Sequence, residues 1–155
     1  MEALRAFRLA AVTDARLRMM ILGDGPARAS IEQFVASYHL QGIVKLQGRI
    51  PRNDLPAYLS ASDLFLFTTK RVEGLPMNVL EALASGLPSV ISNSINHPDF
   101  NAVGVDPDDE ASVAAAISSV AIDPDRISRL KERYTLEFSA HEYLRLFASI
   151  SNGAK

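Results

Sequence analysis

Apolar positions along this chain switch repeatedly between a helical period and the short continuous runs of buried strands. Leu4, Phe7 and Ala11 recur at helical spacing with Arg5 and Arg8 between them, so residues 1–12 read as an amphipathic helix with its arginines in water, ended by Thr13 and Asp14. Arg18 to Leu22 is nearly all apolar, the pattern of a parallel strand covered on both faces. Gly23-Asp24-Gly25-Pro26 breaks it, and Ile31, Phe34, Val35 and Tyr38 mark the stripe of a second helix. Ile43 to Leu46 reads as the next strand, closed by Gly48-Arg49-Ile50-Pro51; a short helix follows, with Asn53 as N-cap and Leu55, Tyr58 and Leu59 turned inward. Leu64 to Phe67 is a third strand, and Thr68-Thr69-Lys70-Arg71 leads out of it.

A helix pattern then runs through Ala84, stopped by Gly86 and barred from resuming by Pro88. Ser89 to Ser92 and Ala102 to Val105 read as the fourth and fifth strands, separated by a polar stretch, Asn93 to Phe100, that holds His97. Asp108 or Asp109 caps a helix through Ile122, and Asp123-Pro124 restarts helix with proline at its first position. Ser139 and Glu142 form a capping box for a last helix with Tyr143, Leu146, Phe147 and Ile150 on its apolar face. Residues 1–151 read as one domain and 152–155 as a disordered tail, with no repeat or linker between. Strands alternating with helices at this rhythm predict an α/β fold, an open parallel sheet with helices on both faces. Ligands of such sheets bind beyond the carboxyl ends of the strands, where the Gly25 turn, the Arg49 loop and the Glu73 loop all emerge.

Composition narrows the function. At 155 residues and 48% hydrophobic content the chain can bury one sizeable core and is too short for two. A formal net charge of -2 gives no long-range attraction to nucleic acid. The absence of cysteine excludes disulfides and thiol catalysis and fits a reducing compartment. No apolar run reaches the roughly 18 residues that cross a bilayer, and Arg5 and Arg8 interrupt the N-terminal apolar residues, so a cytoplasmic location is expected. His39, His97 and His141 lie scattered without metal-ligand spacing, and neither metal nor cofactor is expected.

The chemistry concentrates between Lys70 and Ser92. Glu73 stands in the loop just before a helix, where free backbone N–H groups and the helix dipole favour an anion such as phosphate; Glu81 lies about two turns further along. Two carboxylates beside such a helix end suit a ligand with both phosphate and hydroxyl groups, such as a nucleotide sugar. Taken singly the other features are weak: a GxG after a strand is more often a tight turn than a phosphate cradle, and a basic pair such as Lys70-Arg71 is usually solvated surface.

The run Glu73-Gly74-Leu75-Pro76 through Glu81-Ala82-Leu83-Ala84-Ser85-Gly86-Leu87-Pro88 resembles the donor-site motif of retaining glycosyltransferases of the two-domain, twin-Rossmann GT-B architecture, group 1 type. Gly23-Asp24-Gly25-Pro26, Leu46-Gln47-Gly48-Arg49-Ile50 and Ala61-Ser62-Asp63-Leu64-Phe65 extend the resemblance over nearly the whole chain. It implies the C-terminal, nucleotide-sugar-binding half of such an enzyme, a hexosyltransferase of glycan biosynthesis. By the same resemblance Glu81 holds the ribose hydroxyls, Glu73 acts as the catalytic residue beside the donor sugar, and the backbone from Gly74 through Leu75 and Pro76 to Met77 forms the diphosphate site with its free N–H groups, with no metal needed. Gly23 and Gly25 border the donor, Arg49 and Ile50 edge the base, and Lys70 and Arg71 are possible phosphate contacts. The stretch Asn93 to Phe100 departs from the family, which commonly has a Gly-Gly turn and a further glutamate there. A nucleotide-sugar epimerase or phosphorylase on the same fold, or a nucleotide-binding module without catalysis, remain alternative readings.

In the resembled family this domain opens with a strand ending in glycine, then an arginine and a lysine that clamp the diphosphate, then the helix matched by residues 1–12. The first strand, central in a sheet of order 3-2-1-4-5-6, is therefore expected to be missing between Arg18–Leu22 and Leu64–Phe67. The expectation that follows is a fragment, or a chain completed by another polypeptide, that alone lacks catalysis and binds donor weakly. Its expected partners are the nucleotide-sugar donor and an N-terminal acceptor-binding domain or partner chain; the parent protein can contact a membrane peripherally.

Overall fold

A computed structural model describes residues 1–71, 73–121 and 130–152. The chain runs α1 (Glu2–Thr13), β1 (Met19–Leu22), α2 (Arg28–Ser37), β2 (Val44–Gly48), α3 (Leu55–Ser60), β3 (Phe65–Phe67), α4 (Met77–Ala84), β4 (Ser89–Ser92), β5 (Val103–Val105), α5 (Glu110–Ala121) and α6 (Leu136–Asn152). It is an α/β fold whose strand pairs are all parallel: β1 with β2, β3 with β4, and β4 with β5. The strands form two sheets, β1-β2 and β3-β4-β5, and β1 does not pair with β3. The expected break in the strand order is present at the expected place.

Helix α1 holds the two sheets together from one side. Its Leu4 and Phe7 pack with Val35 and Val44 and against Met19 and Ile21 of β1. Its Ala6 and Ala10 pack with Val90 of β4, Val105 of β5 and the Val113–Ile117–Val120 stripe of α5, and Leu64 and Leu66 join them. On the opposite face of the three-stranded sheet, Val79 and Leu83 of α4 close over Ile91 and Phe100, with Phe65 and Phe67 alongside. All four residues of β4 are buried, as a strand flanked on both edges and covered on both faces requires.

Several sequence expectations are corrected. Arg8 is half-buried, not in water, because its guanidinium lies over the Tyr38 ring, 4.5 Å from the centroid. β1 is not covered on both faces: Met20 is 40% exposed, since α1 and α2 both lie on the Met19 and Ile21 side. Asn53 falls within a 3₁₀ turn, Arg52–Asp54, and α3 starts one residue later behind Asp54 without a side-chain cap. Of the two candidate caps for α5, Asp109 accepts the Ser112 amide at 2.9 Å. α6 begins before the Ser139 capping box: Thr135 Oγ1 accepts the Phe138 amide at 3.3 Å, and Glu142 pairs with Arg145 instead. Tyr143, Leu146 and Phe147 are apolar neighbours on α6 as expected, but exposed. Ile122, the Asp123-Pro124 helix start, the side chain of Ile150 and residues 153–155 lie outside the described residues, while Asn152 ends α6 where a disordered tail was expected to begin. Among the described residues no helix is long and apolar enough to cross a membrane.

Candidate functional site

The site is built on the carboxyl ends of β1, β2 and β3. Gly23 leaves β1 with φ +109, a conformation open to glycine and strained for side-chain-bearing residues, and its amide donates to the Gly48 carbonyl at 2.7 Å. That bond places the Gly23–Gly25 turn beside the Arg49–Ile50 turn, which leaves β2 with Arg49 exposed and Ile50 half-buried. Asp24 Oδ1 accepts the Gly25 amide at 2.8 Å and fixes the first turn locally.

The loop after β3 is fastened by a residue that the motif did not single out. Ser92, fully buried at the end of β4, accepts the Thr69 amide at 2.7 Å and donates to the Thr69 carbonyl at 2.9 Å. A polar residue closing a fully buried strand was the available signal. Lys70 turns away from the motif: it forms ion pairs with Glu2 at 3.3 Å and with Asp108, tying this loop to the first turn of α1 and to the segment before α5. The Asp108 hydrogen bond is the main cause raising the Lys70 pKa, and the Glu2 carboxyl is held at about 2, chiefly by its own backbone N–H. Arg71 is exposed, with its amide bonded to Thr69 Oγ1 at 3.1 Å.

Glu73 is half-buried in the loop that precedes α4, and among the described residues its carboxylate has no hydrogen-bond or ion-pair partner. Gly74 and Leu75 are exposed, and Pro76 is the residue before the helix. α4 then starts with no side-chain cap, so the amides of Met77 and Asn78 point outward unpaired by the described residues, while those of Val79 and Leu80 bond the Pro76 carbonyl. Such an end carries partial positive charge. Glu81 sits one turn further, its side chain 28% exposed, with one oxygen 3.4 Å from Arg52 Nη2. Arg52 and Glu81 border an open cleft of about 610 Å³ floored by Leu55, Pro56 and Leu59. Arg52 was not anticipated, because its approach to Glu81 joins residues 29 apart in the chain.

The arrangement can thus hold an anion at the α4 start and hydroxyl groups at the two carboxylates. His97 stays outside it, exposed, accepting the Asp99 amide at 3.2 Å. Among the described residues no group of three or more histidines or carboxylates gathers in a way that holds a metal ion.

The family described as glycosyl transferases group 1 matches residues 2–135. The putative colanic acid biosynthesis glycosyltransferase WcaL of Salmonella typhimurium is 27% identical over 163 residues, covering 96% of this chain and 40% of that protein. The amylovoran biosynthesis glycosyltransferase AmsK of Erwinia amylovora is 31% identical over 124 residues, 74% of this chain and 30% of its own length. The chain therefore spans less than half the length of these curated relatives. Among solved structures, sucrose-phosphate synthase from Thermosynechococcus elongatus superposes with a TM-score of 0.76 at 20% identity, over 99% of this chain and 43% of that one. Anabaena HepE in complex with UDP-glucose gives a TM-score of 0.67 at 20% identity, over 78% of this chain and 36% of its own. These likenesses establish the fold, the C-terminal half of the GT-B architecture.

Proposed function

The chain belongs to the glycosyl transferases group 1 family, and from that premise we propose that its strand-end site binds a nucleoside-diphosphate sugar for retaining transfer to an acceptor held by other polypeptide. The observation that carries this reading is the start of α4, without a side-chain cap, set between a Glu73 that has no partner among the described residues and a solvent-reachable Glu81. Glu81 accepts the ribose hydroxyls, displacing Arg52. The Gly23–Gly25 and Arg49–Ile50 turns edge the nucleotide, and the outward amides at the α4 start take the diphosphate. Glu73 accepts hydrogen bonds from the donor sugar. On transfer, the bond between the anomeric carbon and the β-phosphate oxygen breaks and its electron pair stays on that oxygen, where the amides stabilise the new charge. The acceptor oxygen joins the anomeric carbon on the departing face and passes its proton to the departing phosphate oxygen, which lies on that same face. The UDP-glucose held by HepE supports a nucleotide sugar as the ligand class.

Titration calorimetry of the full chain with UDP and GDP tests this. One of them is expected to bind, and Glu81→Ala to weaken it by at least about tenfold, since each charge-assisted hydrogen bond to ribose contributes roughly 1.5–3 kcal/mol. Binding by neither, or unchanged affinity in the variant, overturns the reading.

A further inference from the structure

Arg52 combines a fixed backbone with a side chain that is barely held. Its carbonyl accepts the Leu55 amide in the 3₁₀ turn behind Pro51, which sets where the side chain starts. The side chain itself is 81% exposed, and among the described residues its one polar contact is the 3.4 Å approach of Nη2 to Glu81 Oε1. A guanidinium is a planar fork of N–H donors. Most of that fork is therefore unpaired by the described residues, and its flat faces are reachable.

Position gives this freedom a use. Along α4 the outward amides of Met77 and Asn78 come first, Glu81 follows a turn later and Ser85 a turn after that, about 6 Å per step. The base and the 5′-phosphate leave a ribose from opposite ends of its diol edge. A nucleotide with its diphosphate at the α4 start and its diol on Glu81 thus carries its base past Glu81, where the cleft of about 610 Å³ opens toward Ala84 and Ser85. The apolar floor of Leu55, Pro56 and Leu59 suits one face of a planar heterocycle, and Arg52 stands at the rim above it. The Arg49–Ile50 turn ends at Pro51, next to Arg52, and so belongs to the same corner.

We propose that Arg52 is a movable lid over the base, released from Glu81 by the ribose diol and stacked by its guanidinium plane on the outward face of the heterocycle, a role that rests on the donor reading of the site. Arginine suits it because a guanidinium is flat, weakly hydrated and attracted to aromatic faces. The movement needs side-chain torsions alone, since the backbone of the turn stays where the Leu55 amide holds it. The contribution of Arg52 then follows the base and not the ribose or the diphosphate. A mere counter-ion of Glu81 has the opposite sign, because its removal tightens binding.

Calorimetry of the full chain with two ligands tests the lid. One is whichever of UDP and GDP the wild type binds; the other is methyl β-ribofuranoside 5-diphosphate, which keeps the diol and the diphosphate and lacks the base. Arg52→Ala is expected to weaken the nucleoside diphosphate by roughly three- to tenfold while leaving the baseless ligand within about twofold or tighter. Arg52→Lys, which keeps the charge without the flat face, is expected to resemble Arg52→Ala. Unchanged or tighter nucleoside diphosphate binding in Arg52→Ala overturns the proposal and makes Arg52 a plain counter-ion. Equal loss for both ligands overturns it in favour of a phosphate contact, and full retention by Arg52→Lys in favour of charge alone. Wild-type binding of neither UDP nor GDP overturns the donor reading and the lid together, which separates that failure from the other three.

Discussion

A carboxylate can serve a ribose only if water, and later hydroxyls, can reach both its oxygens. Glu81 satisfies that on α4, because the Arg52 pair that occupies one oxygen is long at 3.4 Å and involves an arginine 81% exposed. Exposed pairs of this kind contribute under about 1 kcal/mol, so freeing Glu81 from Arg52 costs little. Glu73 differs: half-buried and without a partner among the described residues, it has no role in holding the fold that its geometry reveals. Its expected contribution is to the sugar alone. With a nucleotide sugar that the wild type binds, Glu73→Gln is expected to leave affinity for the bare nucleoside diphosphate within about twofold while removing the extra affinity that the sugar confers. Calorimetry with the two ligands side by side decides it; loss of both affinities together would place Glu73 at the diphosphate instead.

Each end of α4 is handled differently, and the difference serves the site. The N-terminal end is left uncapped, whereas the C-terminal end is closed by a complete Schellman motif. The Leu87 amide bonds the Ala82 carbonyl at 3.1 Å and the Gly86 amide bonds Leu83 at 3.0 Å, with Gly86 at φ +74. Buried Leu87 then packs on Ala82 and Leu59. A Cβ at φ near +74 costs about 1–2 kcal/mol, so Gly86→Ala is expected to lower the urea midpoint by that much stability with an unchanged m-value. A shift under about 0.3 kcal/mol would mean that the turn relaxes and that the motif does not fix the end of α4.

At the scale of the molecule, the candidate site is shared between two sheets that α1 spans, with the Gln47–Tyr58 hydrogen bond and the Arg52–Glu81 pair also crossing between their sides. The Gly23–Gly25 turn belongs to the β1-β2 sheet, while Glu73 and α4 belong to the other.

Sequence alone determined the order and type of the elements, because α1 through α5 and all five strands announce themselves by local period and by their terminating residues, such as Gly86 before Pro88. It also singled out the motif of the candidate site, whose residues lie within one loop and one helix. Burial was another matter. The apolar runs of β1 and α6 read as covered, yet Met20, Tyr143, Leu146 and Phe147 are exposed, since a side chain's period states what it is suited to face and not what is there to face it. Tertiary structure decided the contacts between distant residues: Arg52 on Glu81, Ser92 on Thr69, and Lys70 on Glu2 and Asp108 in place of the motif loop. None of these has a local signature, because each depends on how loops from separate strands come together once α1 has drawn the two sheets beneath it.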